Sequence, residues 1–120
     1  MTRHFSQWLG KTDLSIDALC RTVEEMERGL IDANLGGGIV KKRVALPGRG
    51  KRGSTRTLVA TNSVNRWFFV FGFEKNDRDN INAKELSALK ALASDLLRLG
   101  VSELSAAVAA QTLREICHEN

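Results

Sequence analysis

The 120 residues include no tyrosine, and histidine occurs only at His4 and His118, at the two ends of the chain. Between Asp32 and Glu74 there is no carboxylate side chain at all. A nuclease site built on a central histidine and glutamate is therefore excluded, and so is any base-stacking or proton role that depends on tyrosine. No apolar run approaches the roughly 18 to 20 residues that a membrane span needs, and MTRHFSQWLG lacks the hydrophobic core of a secretory signal. A cytoplasmic protein with no membrane contact is expected. Cys20 and Cys117 form no CxxC and have no histidine ladder beside them, which argues against a zinc site or a disulfide framework. Both are expected to be reduced thiols carried on helices, and no metal or cofactor is called for.

What the chain does contain is positive charge, sharply segregated. Residues 33 to 73 carry eight Lys or Arg and no acid, although the formal net charge of the whole is only +4. A one-signed field of this kind attracts a polyanion or an acidic partner more than it assists folding. With 42% hydrophobic and 27% charged residues, the composition fits one compact domain over residues 1 to 120 with a modest core.

Periodicity outlines the elements. Phe5, Trp8 and Leu9 have the spacing of a short amphipathic helix. A second helix is expected to be capped by Ser15, to line one face with Ile16, Leu19, Cys20, Val23 and Met26, and to end at Gly29 in the left-handed conformation. After Gly36, Gly37 and Gly38, the run IVKKRVAL alternates as a first strand, with Lys41 and Arg43 on one side and Lys42 on the other. Pro47 stops it, and Thr55, Thr57, Val59 and Thr61 mark a second strand. In RWFFVFGFEK, Trp67, Phe69, Phe71 and Phe73 fall on one face and Phe68 and Val70 on the other, so a third strand is expected in the middle of the sheet. Asn82 and Glu85 read as a capping box for a helix with the stripe Leu86, Leu89, Ala93 and Leu96. A last helix is expected from about Ser102 to Ile116, as a C-terminal extension beginning near residue 101. The fold class is α+β: a small antiparallel sheet with N-terminal and C-terminal helices packed on one side.

The segment GRGKRG at 48 to 53 matches the dinucleotide pattern letter for letter, but STRTLVAT follows it. That segment reads as a strand, so the helix N-terminus on which a pyrophosphate would rest is missing. A P-loop is excluded because Gly53 is followed by Ser54 rather than Lys. What remains is a cationic hairpin tip with Arg49, Lys51 and Arg52, flanked by Arg43 and Arg56. Such a tip can serve solubility alone, but solvated surfaces usually mix signs.

Three stretches, ERGL-x-x-A-x-LGGG, the loop R-V-x-x-x-G-x-G-K-x-G-x-x-R and the strand exit G-F-x-K-N ahead of NAKEL, stand in order over roughly residues 24 to 99. Together they resemble the HigB-like branch of the RelE toxins of bacterial type II toxin–antitoxin systems. The resemblance implies a RelE-like, microbial-RNase-like fold and a metal-independent endonuclease that cuts mRNA in the ribosomal A site. It also implies a cognate helix-turn-helix antitoxin, with operator DNA touched only through that partner.

Cleavage by 2′-hydroxyl attack needs proton transfer and donors for the developing pentacovalent phosphate. Here the work falls to Lys and Arg. Arg56, the arginine that closes the family's loop motif, is assigned to phosphate stabilisation, Lys75 to proton transfer or a second phosphate contact, and Arg43 to completing the cluster. Lys41, Arg49, Lys51 and Arg52 are better placed to grip the RNA backbone, and Phe73 either stacks a base or continues the core. Two rivals remain: a ParE-like toxin directed at gyrase, and a non-catalytic RNA- or DNA-binding module.

Overall fold

The computed structural model describes residues 1–46, 54–75 and 77–117. Four strands, β1 (Ala33–Gly36), β2 (Ile39–Ala45), β3 (Ser54–Thr61) and β4 (Trp67–Glu74), form one antiparallel sheet in the order β1-β2-β3-β4. Helices α1 (Arg3–Leu9) and α2 (Ile16–Glu27) precede it, and α3 (Ala83–Leu97) and α4 (Val101–Ala109) follow. The α+β class and the antiparallel sheet are as expected; the placement of the helices is not. Alternate residues of each strand feed two separate cores. Val40, Val44, Val59 and Phe69 pack with Phe5, Leu19 and Met26 of α1 and α2, whereas Ile39, Leu58, Ala60 and Val70 pack with Leu89, Ala93 and Leu96 of α3. Helices thus cover both faces rather than one, because β2 to β4 carry apolar side chains on both sides of the pleat.

Local signals set the helix ends. The Ser15 side chain accepts from the Ala18 N–H, and Gly29, just past α2, takes φ +87°. Asn82 and Glu85 form the expected reciprocal capping box at α3.

Five features of the strands and tail depart from expectation. A strand, β1, precedes the glycine turn; Ala33 pairs with Lys41, and the turn reverses the chain at Gly36 to Gly38, all at positive φ. The aromatic strand β4 lies at the sheet's edge, not in its middle, and its exposed side is met by α1, where the Thr2 N–H donates to the Phe69 carbonyl at 3.1 Å. The ladder also slips inside it: Leu58 opposes Phe71 but Val59 opposes Phe69, leaving Val70 as the extra residue. That bulge turns Phe71 and Phe73 onto the α3 face, away from Trp67 and Phe69. Finally, α4 stops at Ala109, and the tail returns along the N-terminus, with a bridge between Thr2 and Leu113, instead of staying helical to Ile116. Its end brings Cys117 to Cys20 in a disulfide, with Cα atoms 5.3 Å apart. The expected reduced thiols are replaced by a cross-link between α2 and the non-helical tail.

Gly72 explains how β4 admits α1. A Cβ built there would lie 2.4 Å from Cζ3 of Trp8, inside the indole that covers the strand. Gly72→Ala is expected to cost about 1–3 kcal/mol by overpacking. Denaturant titration checks this, and Trp8→Leu combined with it should recover most of the loss.

Candidate functional site

The register of β2, β3 and β4 sets the site. Arg43 opposes Arg56, and Arg56 opposes Phe73. Lys41 opposes Leu58, which opposes Phe71. Direct partners on an antiparallel ladder point to the same face, so Lys41, Arg43, Arg56, Phe71 and Phe73 all lie on the side that carries α3. Leu58 and Ala60 on this side are under the helix, while Arg56 is only half-buried and Arg43 is exposed. Two arginines placed directly opposite each other cost a β-ladder stability rather than adding to it.

Lys42 points the other way and pairs with Glu25 of α2 at 3.5 Å. It therefore serves the packing of α2. Asp32 accepts a hydrogen bond from the Arg43 N–H, and its own N–H donates to the Lys41 carbonyl at 3.0 Å, which fixes the basic strand against the segment before β1.

Lys75 is exposed in the turn just after β4. Phe73 is only 4% exposed and offers no free ring for a base. Arg49, Lys51 and Arg52 lie outside the described residues, as does His118. The structure therefore brings together Lys41, Arg43, Arg56 and Phe73 on one face and sets Lys75 at its rim.

Two residues passed over in the sequence join this face. Arg78 lies over both aromatic rings, its guanidinium carbon 5.8 Å from the centroid of Phe71 and 5.7 Å from that of Phe73. Its fork grips Glu85 through both terminal nitrogens, Nη1 to Oε2 at 2.9 Å and Nη2 to Oε1, while Nε donates to the Asn80 carbonyl at 3.1 Å. The second residue is His4 of α1, stacked on Phe71 with centroids 5.8 Å apart and an interplanar angle of 21°. Sequence distance from the loop motif hid it. The signal for Arg78 was its position in the short connection between an aromatic strand and a capped helix. An apolar groove of about 650 Å³ runs from His4, Phe71 and Glu85 along Leu89, Leu92 and Leu96.

The contact with Arg78 holds the Glu85 carboxyl below its ordinary value of 4.5, helped by the Asn82 N–H. A carboxylate whose pKa is lower in the folded state stabilises above its unfolded pKa, and that contribution is lost as pH falls through the depressed folded value. The small margin in melting temperature of the native chain over Glu85→Gln is therefore expected to shrink as pH drops below 4.5, which parallel melts measure.

A family model described as the RelE toxin of the RelE/RelB toxin–antitoxin system matches residues 1–116. The chain belongs to the RelE toxin family. No curated protein matches it. The match reaches well beyond the stretch of 24 to 99 in which the motifs occur, so α1 with His4, α4 and the returning tail are parts of this RelE-family toxin. An antitoxin partner goes with the system that the family serves. Among the described residues, no helix is long and apolar enough to cross a membrane.

Proposed function

We propose that this RelE-family toxin is a ribosome-dependent endoribonuclease that cuts mRNA in the A site, acting in the cytoplasm and held in check by a helix-turn-helix antitoxin. The observation that carries the reading is the Arg43–Arg56 pair across β2 and β3, on a face with no acid among its strand residues. Two like charges held directly across a ladder favour a bound phosphodiester.

In the reaction, the 2′-hydroxyl gives up its proton to solvent water as its oxygen attacks the adjacent phosphorus, a 2′,3′-cyclic phosphate forms, the bond from phosphorus to the 5′-oxygen breaks, and the departing oxygen takes a proton. Arg56, fixed on a central strand, forks onto the non-bridging oxygens as their charge grows. Lys75, at the exposed end of β4, delivers the proton, and Arg43 shares the phosphate charge. Lys41, with Arg49, Lys51 and Arg52, holds the flanking backbone. The ribosome supplies the in-line geometry that a face of fixed cations does not impose by itself.

Primer extension on mRNA in a translating extract tests this. New 5′ ends within ribosome-positioned codons, present with the native chain and lost with Arg56→Ala and Lys75→Ala, are the expected result. Growth arrest with no new ends would direct attention to gyrase instead. RNA binding with neither effect would leave a passive binding module.

A further inference from the structure

On this face Arg78 holds the Glu85 carboxylate in a two-pronged grip. The pair is not a buried structural bridge. Its side chains are 35% and 30% exposed, and ion pairs at that depth add little to stability. What is unusual is its location. Phe73, beneath the guanidinium, is the ladder partner of Arg56, so Arg78 continues the row Arg43, Arg56, Phe73 across the sheet. The rings of Phe71 and Phe73 fix the plane of the guanidinium, and the fork projects from the stack to the carboxylate.

We propose that Arg78 is a phosphodiester-binding subsite for RNA beside Arg56, and that Glu85 occupies it as an internal stand-in for phosphate until the substrate backbone displaces it. The inference rests on the RNA-directed reading above. A carboxylate and a phosphate present the same pair of acceptor oxygens to an arginine fork, so one replaces the other without moving the guanidinium off its rings. Glu85 does not lose its other partner in the exchange, because its N3 position keeps the contact with the Asn82 N–H. The native chain therefore binds RNA less tightly than its cations allow, and the site is reserved for a strand already held by Arg56 and Arg43.

The test is a double-mutant cycle in which binding of a labelled short single-stranded RNA is measured by fluorescence anisotropy over a salt series. Glu85→Gln keeps α3's capping box, since glutamine serves at N3, but weakens the hold on Arg78. It is expected to tighten binding about tenfold. In the Arg78→Ala background the same change should give about twofold or less, the effect of one screened charge. Arg78→Ala on its own should lower the magnitude of the salt slope by about 0.7, the loss of one phosphate contact to a single strand. A second measurement on the native chain needs no variant to fold: the Arg78 Nε resonance should shift saturably as RNA is added.

Equal effects of Glu85→Gln with and without Arg78, or an unmoved Nε signal at saturating RNA, overturn the subsite. Cleavage by the native chain, read separately by primer extension, decides the wider function. A toxin that cleaves without the coupling loses only this inference, and a chain that neither binds nor cleaves RNA loses both.

Discussion

Arg56→Ala is expected to lower mRNA cleavage by about 10²–10³-fold, the scale seen when one donor to a developing oxyanion is removed. Stability should fall far less than activity, because the substitution also relieves the like charge of Arg43 directly across the ladder. The dissociation of the two effects identifies the role. A residue kept for packing would lose stability and activity together, whereas one kept for phosphate loses activity alone. Arg56→Lys restores the charge but not the planar fork and should recover only a small part of the rate. Quantified 5′ ends in a translating extract, set beside thermal melts of the same preparations, give both readouts. Full cleavage and undiminished growth arrest by Arg56→Ala would end the assignment.

How much of this was readable beforehand depended on how local each signal is. The caps at Ser15 and Asn82 and the left-handed Gly29 act within one helical turn, and all three are where the sequence puts them. The same holds for the alternation that sends Lys41 and Arg43 to one side and Lys42 to the other, since it depends only on the pleat. Strand β1, by contrast, consists of Ala33, Asn34, Leu35 and Gly36, residues with little strand preference that are extended only because β2 offers them an edge. The bulge at Val70 is a property of the β3–β4 pair and leaves no mark in the period of β4 alone, so the alternation puts both Phe71 and Phe73 on the wrong face. That single slip hid part of the site. With Phe71 on the α3 face, its contacts with His4 and Arg78 follow. The meeting of Arg78 with Glu85 joins a loop to the first turn of a helix across seven residues, a distance that periodicity does not reach.

The Cys20–Cys117 bridge is the feature least visible in the sequence, and reducing it is expected to have the largest effect on stability. The two residues are 97 positions apart, so the cross-link removes freedom from almost the entire unfolded chain. The chain-entropy argument gives about 4–5 kcal/mol for a loop of that length. At roughly 4 °C per kcal/mol for a domain of this size, reduction should lower the melting temperature by about 15–20 °C. Cys20→Ser should melt at the lower temperature with or without reductant, and native chain in a strong dithiol should join it once a thiol count confirms that the bridge is open. The tail's own contacts then remain, among them buried Leu113, Ile116 packed against the core under α1 and α2, the Arg3 N–H to the Thr112 carbonyl at 3.2 Å, and the Arg114 N–H to the Met1 carbonyl at 2.8 Å. With the bridge open nothing covalent holds the tail to α2, and α4 before it buries no residue fully, so the tail beyond Ala109 should be the first segment to gain amide exchange. On the proposed function the protein works among reduced thiols, where such a bridge opens. The dithiol form is then the one that meets the ribosome, and its lower melting temperature, rather than that of the oxidised form, measures the stability available there. Equal melting of verified oxidised and reduced chains would show that the tail's own contacts already hold it and that the cross-link adds nothing.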